Sequence, residues 1–314
     1  MALRQNVAQG LPFISENNPD PLSRDCVDYD RRIEKNGNDG KFLRSNGVGN
    51  YDDEPLLKGR PAENFMAELT YHYDGSYAGL LSVLHRIFSW RETPAAISAG
   101  APAQEDLFSA PAQVATDPER ADLLLAAIRE HLSPETPALV RHAFFSETAG
   151  VEMAIYRYLA HGWKVRRRLD DDLACPVVAE VHRLARRVRG EAHRLKGLAR
   201  FRETADGLLY APLEPEYFVL PFLAAHFSER LGQERWLLHD VRRAKGVLHE
   251  QGRWVLADLE VEGAPSLSAE EEHWQGMWRT FFSRIAIAER VNPRRQRGFM
   301  PLKYWKYLVE MDNP

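Results

Sequence analysis

Residues 176–196 constrain the fold more than any other stretch of the chain. Val178, Val181, Ala185, Val188, Ala192 and Leu195 follow one another at intervals of 3, 4, 3, 4 and 3, a period that only an α-helix lays out as one line. His182, Arg186, Arg189, His193 and Lys196 repeat that spacing about a hundred degrees round the cylinder, and Arg183, Arg187 and Arg194 form a third stripe beyond them. Gly190 falls between the two basic stripes, where a missing side chain would let a phosphate backbone come close. Gly197 stands where a C-terminal cap is expected. The helix dipole favours cations near a C-terminus, which accounts for Arg194 and Lys196 without any ligand, but not for two full-length stripes.

The formal net charge of −4 hides a segregation along the chain. Residues 66–163 hold 6 Lys+Arg against 12 Asp+Glu, and residues 203–283 hold 7 against 14. Between them, residues 164–202 reverse the balance with 12 against 5, and the tail 284–314 holds 7 against 3. Two basic blocks therefore interrupt an acidic chain. Such separation can build a positive face for a polyanion, or it can reflect basic helix faces pairing with acidic ones inside the fold. Lys164, Arg166, Arg167 and Arg168 extend the first block and are partly countered by Asp170, Asp171 and Asp172.

Residues 1–65 are rich in Asn, Gly, Asp and Arg and have no sustained apolar period, so a disordered or loosely ordered arm is expected there. Order is expected from about Glu68, and residues 66–314 read as a single domain. Leu69 to Tyr73 alternates like a short strand, and Asp74-Gly75-Ser76 turns into a helix over Tyr77 to Ser89. Residues 93–118, with many Ala, Pro, Ser and Gln, read as a surface loop. Helices are predicted over 118–131, 134–146, 149–162, 176–196 and 217–231. Hairpins are predicted about Ala205-Asp206-Gly207 and Gln251-Gly252, with a further strand over Trp236 to Val241. A last long helix spans about 268–290, ended by Asn292-Pro293, and a short one starts after Pro301. Trp274, Met277, Trp278, Phe281, Phe282 and Ile285 form a wide apolar face on the long helix and read as core. The class expected is α+β, helix-rich, with a mostly antiparallel sheet built from hairpins.

Several chemistries find little support. Cys26 and Cys175 lie far apart and outside any paired-cysteine motif, so neither an iron–sulfur cluster nor a four-thiolate zinc site is expected. No metal or cofactor is expected. Asp170-Asp171-Asp172 reads as capping and solvated charge rather than a nuclease metal site. No apolar run reaches membrane-spanning length, and the first residues lack the pattern of a secretory signal, so a cytoplasmic protein without membrane contact is expected. Glu191 with His193, His239 with Asp240, and Asp258 with Glu260 are candidate acid–base or metal pairs, although residues two apart on a helix point in different directions.

The C-terminal block interleaves guanidinium groups, amides and aromatics: Arg290, Asn292, Arg294, Gln296 and Arg297, then Lys303, Tyr304 and Trp305. Arginine forks onto phosphates, Asn and Gln can read base edges, and exposed Tyr or Trp can stack on unpaired bases. Alternatively these aromatics anchor the C-terminus, with Glu289 and Glu310 pairing the arginines.

Certain stretches resemble a known family. They are Tyr73-Asp74-Gly75-Ser76; Glu191-Ala192-His193-Arg194-Leu195-Lys196-Gly197 leading to Arg200-Phe201; Trp278-Arg279-Thr280-Phe281-Phe282; Ile285 through Asn292-Pro293; and Tyr304-Trp305-Lys306-Tyr307-Leu308. The sequence resembles, from about residue 69 to 310, a bacterial family assigned to DNA repair or DNA metabolism. Its members are typically encoded beside a radical S-adenosylmethionine protein, and some are fused to a uracil-DNA-glycosylase-like domain. The resemblance implies a process and a partner, and it carries no catalytic residues across. The expectation is a DNA-binding accessory factor working with a radical S-adenosylmethionine protein. The alternatives are a DNA-processing enzyme, nuclease or glycosylase-like, and a protein-partner subunit without DNA contact.

Overall fold

Alternation along Leu-Thr-Tyr-His-Tyr makes the first strand, β1 (Leu69–Tyr73), and a chain of short-range hydrogen bonds turns it into a helix. Asp74 Oδ1 accepts from the Ser76 amide at 2.9 Å and from the Ser76 hydroxyl at 2.7 Å, while Ser76 Oγ caps α1 (Tyr77–Trp90) by accepting from the Gly79 amide at 2.9 Å. A side chain at Gly79 would start 2.2 Å from Asp74 Oδ1 and 2.9 Å from Thr116 Oγ1, so only glycine lets strand and helix approach this closely. The structure, a computed structural model, describes residues 69–100, 110–261, 263 and 265–311. The expected N-terminal arm over 1–65 and Cys26 lie outside the described residues.

The chain divides into two compact units, whose described parts are residues 69–188 and 189–311. In the first, β1 is followed by α1, β2 (Pro94–Ala99), β3 (Ala110–Gln113), α2 (Pro118–His131), α3 (Thr136–Phe144) and α4 (Val151–Val165). A 3-10 turn (Arg166–Asp171) then leads into α5 (Pro176–Leu198), which continues into the second unit. Strand β1 lies at the centre of a three-stranded sheet ordered β2-β1-β3 and is parallel to both neighbours. Two strands thus occupy the stretch expected to be a loop over 93–118. Pro94 and the small residues of Pro-Ala-Ala-Ile-Ser-Ala hide the alternation that marks a strand, and pairing with β1 supplies what propensity does not. Leu80, Leu84, Ile87, Ile128, Leu132 and Ile155 are fully buried. Asp170, at the end of the 3-10 turn, accepts from Thr136 Oγ1 at 3.0 Å and Tyr158 Oη at 2.5 Å, and lies 2.7 Å from His182 Nε2.

In the second unit the strands β4 (Arg202–Glu203), β5 (Leu209–Leu213), β6 (Trp236–Asp240), β7 (Lys245–Glu250) and β8 (Arg253–Asp258) form one sheet in chain order. The pairs β4/β5, β6/β7 and β7/β8 are antiparallel, but β5/β6 is parallel because α6 (Leu220–Arg230) crosses between them. The expected α+β class holds. The expectation of a mostly antiparallel sheet does not hold throughout: one sheet is parallel and the other mixed. In both sheets a helix returns the chain to start the next strand in the same direction, as α1 does between β1 and β2. The turn at Gln251-Gly252 does make a hairpin, with both residues at positive φ (53° and 75°).

The helix expected over 268–290 ends earlier, as α7 (Ala269–Ile285), and Asn292-Pro293 opens a new helix, α8 (Pro293–Phe299). The face on α7 expected to be core is exposed: Trp274, Met277, Trp278, Phe281 and Ile285 all face outward. Polar contacts hold the helix instead. Glu271 Oε2 accepts from the Glu203 amide at 3.0 Å, Trp278 Nε1 donates to Glu310 Oε2 at 3.0 Å, and Arg279 Nε donates to the Val309 carbonyl at 3.2 Å. No helix among the described residues is long and apolar enough to cross a membrane.

Candidate nucleic-acid interface

The apolar seam of α5 is buried as its spacing predicts: Val178, Val181, Ala185, Val188, Ala192 and Leu195 are all inaccessible. The cations lie outside that seam in graded exposure. Arg183, Arg186, Arg187, Arg189 and His193 are exposed, whereas His182, Arg194 and Lys196 are half-buried. The accessible face is therefore centred diametrically opposite the seam, between the two basic stripes. Arg183 and Arg187 belong to it more fully than His182 or Lys196, and helical geometry alone places them there. Gly190 lies on the same face, and the only atom near a side chain built there would be Arg194 Nη1, at 3.6 Å. Of the two acids on this helix, Glu180 is exposed near its start and Glu191 is wholly buried.

Other residues expected at the interface are committed elsewhere. His182 is paired with Asp170. Arg200 forms a fork with Glu310, Nη2 to Oε1 at 2.6 Å and Nε to Oε2 at 3.2 Å, and its guanidinium lies 5.4 Å from the centroid of the Trp278 ring. Lys303 bridges Glu191 at 2.8 Å and Glu216 at 3.0 Å. Tyr304 is buried and donates to Glu191 Oε1 at 2.5 Å. Trp305 is half-buried, with Nε1 donating to the Met300 carbonyl at 2.8 Å. Asn292 caps α8 by accepting from the Arg295 amide at 2.9 Å. Arg290, Arg294 and Arg297 are exposed, Gln296 half-buried. The two basic blocks thus meet, but through carboxylates: Lys303 and Tyr304 converge on Glu191 of α5. Those acids, 87 to 113 residues away along the chain, are what sequence reading does not see.

The electrostatics follow. Burial opposes the charge on Lys303, but hydrogen bonds to Glu191 and Glu216 more than offset it and hold the ammonium well above its usual pKa. Burial first, and then the Glu191 carboxylate, push Tyr304 up to about 12. Burial would raise Glu310, but hydrogen bonds led by that from Arg200 bring it below the ordinary glutamate value. The candidate acid–base pairs do not assemble: Glu191 is saturated and His193 faces outward, while His239 Nδ1 lies 2.7 Å from Tyr210 Oη and Asp240 is paired with Arg243 at 2.9 Å. Asp258 is paired with Lys245 at 2.6 Å, and Glu260 lies past the end of β8.

The model of a domain of unknown function, DUF4130, matches residues 149–310, just over half of the chain. The chain belongs to the DUF4130 family. The DUF4130 match takes in α5, the five-stranded sheet, the Glu191 cluster and α7, while the parallel sheet precedes it. No curated protein and no solved structure matches the chain.

One feature within the DUF4130 match makes stability depend on pH. His239 is buried on β6, with Nδ1 2.7 Å from Tyr210 Oη, and burial holds its pKa below the ordinary 6.5. As pH falls below about 6.5, the unfolded chain takes up a proton that the folded protein resists. The stabilisation present above that pH is therefore lost progressively as pH falls toward the folded value. Thermal melts between pH 7.5 and 5.5, values chosen to bracket roughly the free-histidine pKa, should show the midpoint falling, and His239→Asn should flatten the trend. His85, also lowered by burial, contributes with the same sign in the first unit. An unchanged slope in His239→Asn would remove His239 from the account.

Proposed function

We propose that this chain is a nucleic-acid-binding accessory factor of DNA repair or DNA metabolism that grips the phosphate backbone with the exposed face of α5. The observation that carries the reading is the row Arg183, Arg186, Arg187, Arg189 and His193, all exposed and without ion-pair partners among the described residues. At about 1.5 Å rise per residue the row is roughly 15 Å long, and duplex DNA carries a charge about every 1.7 Å along its axis. The row can therefore reach several phosphates at once. Arg290, Arg294 and Arg297 are further exposed cations. The radical S-adenosylmethionine protein implied by the family resemblance is the proposed partner.

Anisotropy titrations with single- and double-stranded DNA over a range of salt test this. Changing Arg183, Arg186, Arg187 and Arg189 together to Gln should weaken binding more than about a hundredfold at low salt and flatten the log–log salt slope by roughly 3–4. Binding that is indifferent to the four substitutions would sink the reading. Conversion of the DNA to product in the presence of a divalent metal would replace it with the enzymatic alternative.

A second reading, a subunit that docks on another protein, is favoured by the exposed apolar face of α7. Glu270 lies at one end of that face and Arg284 flanks the other, with Arg290 and Arg294 further along the chain. The complementary partner presents an apolar surface with carboxylates set against the arginines. Gel filtration of the chain with the radical S-adenosylmethionine protein should give a complex that Phe281→Glu dissolves. Self-association abolished by the same change would identify a second copy as the occupant, and co-elution unaffected by it would remove α7 from the interface.

A further inference from the structure

His161 on α4, Asp172 at the end of the 3-10 turn and Cys175 just ahead of α5 place an imidazole nitrogen, a carboxylate oxygen and a thiol sulfur within 4.8 Å of one another. All three belong to the unit ending at Val188. The local fold brings them together. After α4, Arg166 takes a positive φ of 57° and the 3-10 turn Arg166–Asp171 reverses the chain. The Asp172 carbonyl then accepts from the Cys175 amide at 3.1 Å, and the Cys175 carbonyl accepts from the Ala179 amide at 2.9 Å in the first turn of α5. Nothing in the spacing of these residues signals a metal; the reversal creates the cluster.

The groups show little sign of satisfying one another. His161 Nε2 is shut off from solvent and has no hydrogen-bond partner. Its nearest carboxylate oxygen, Asp172 Oδ2, is 3.9 Å away, too far for a hydrogen bond. Cys175 is a free thiol, half-buried. Two ligand atoms bonded to a tetrahedral zinc ion at about 2.0–2.3 Å stand roughly 3.3–3.8 Å apart. For a nitrogen and an oxygen donor the separation is at the short end of that range, about 3.3–3.5 Å. The 3.9 Å gap is therefore longer than a direct pair would settle at and has to close by about half an ångström to share a cation.

We propose that His161, Asp172 and Cys175 bind one zinc-class divalent cation. Thiolate, imidazole and carboxylate together make a borderline-soft donor set, which selects zinc and its neighbours over magnesium or calcium. With three protein ligands among the described residues, one coordination position is left for water or a small ligand, the arrangement of reactive rather than closed structural zinc sites. Asp172, half exposed, forms the open side.

The test uses the full chain, stripped with a chelator and titrated with cobalt(II), a spectroscopic stand-in for zinc. One equivalent should bind, giving tetrahedral visible bands and a thiolate-to-cobalt charge-transfer band, both displaced by zinc. Cys175→Ser should abolish the charge-transfer band, while Cys26→Ser retains it. Asp172→Asn, at a half-exposed position the fold tolerates, should weaken affinity by more than about tenfold. Circular dichroism checks that each variant is folded. A wild-type chain that gives no stoichiometric cobalt spectrum, a band that survives Cys175→Ser, or an Asp172→Asn affinity equal to wild type would overturn the assignment.

Discussion

Replacing Glu191 with alanine is expected to destabilise the fold by about 3–5 kcal/mol, the range for removing one partner from a buried charged cluster. Glu191 is completely buried and accepts four hydrogen bonds. Its Oε1 takes the Glu216 amide at 3.0 Å, Lys303 Nζ at 2.8 Å and Tyr304 Oη at 2.5 Å, and its Oε2 takes the Tyr217 amide at 2.7 Å. Lys303 is not the main casualty of the substitution, because it is two-fifths exposed and keeps Glu216. The loss falls on the buried Tyr304 hydroxyl and on two backbone amides that no longer have an acceptor, each costing about 1–3 kcal/mol when left unmade. Glu191→Gln retains the volume and one carbonyl acceptor, so it should cost about 2 kcal/mol. Lys303→Met leaves the buried Glu191 carboxylate without its cation and should cost at least as much as Glu191→Gln. Urea unfolding followed by circular dichroism gives all three values, and a double-mutant cycle between Glu191 and Lys303 separates their coupling from the rest of the cluster. An alanine variant that unfolds at the wild-type midpoint would mean that the cluster contributes nothing to stability.

The same cluster marks where sequence reading stops. The α5 seam, the Ser76 turn into α1 and the Gln251-Gly252 hairpin are local patterns, set by residues one to seven positions apart, and each appears where its pattern predicts. Whether Lys303 and Tyr304 face a ligand or a carboxylate depends on Glu191, more than a hundred residues earlier, and no local period encodes that pairing. Arg200 and Glu310 are separated in the same way. Strands β2 and β3 were hidden for a related reason: they are strands because β1 offers both edges, not because Pro-Ala-Ala-Ile-Ser-Ala reads as one. The accessible face of α5 was legible in part. The seam fixes which side turns inward, so the side opposite it, with Arg183 and Arg187, follows from the same arithmetic that located Arg186 and Arg189. On α7 the period correctly specifies a helix with one apolar face, but period alone does not say what covers that face.

Two tryptophans turn this last distinction into a measurement. Trp236→Ala is expected to cost about 3–5 kcal/mol, whereas Trp274→Ala should change stability by no more than about 0.5 kcal/mol. Trp236 sits on β6, the middle strand of the five-stranded sheet, with no exposed surface. Its ring stacks on His249 at 4.8 Å with an interplanar angle of 4°, and Phe201 and Phe227 approach its edge at 6.3 and 6.4 Å. Truncation removes a large apolar surface and leaves a cavity among aromatics that have little freedom to close it. Trp236 Nε1 has no hydrogen-bond partner, so Trp236→Phe sheds an unsatisfied donor along with some volume and should cost less than half as much as alanine. Trp274, 59% exposed, has little burial to lose. Were Trp274→Ala to cost as much as Trp236→Ala, the face of α7 would be packed within the chain itself and unavailable to any partner. A loss confined to partner binding, with the unfolding midpoint unmoved, is the signature of a surface kept apolar for docking rather than for folding.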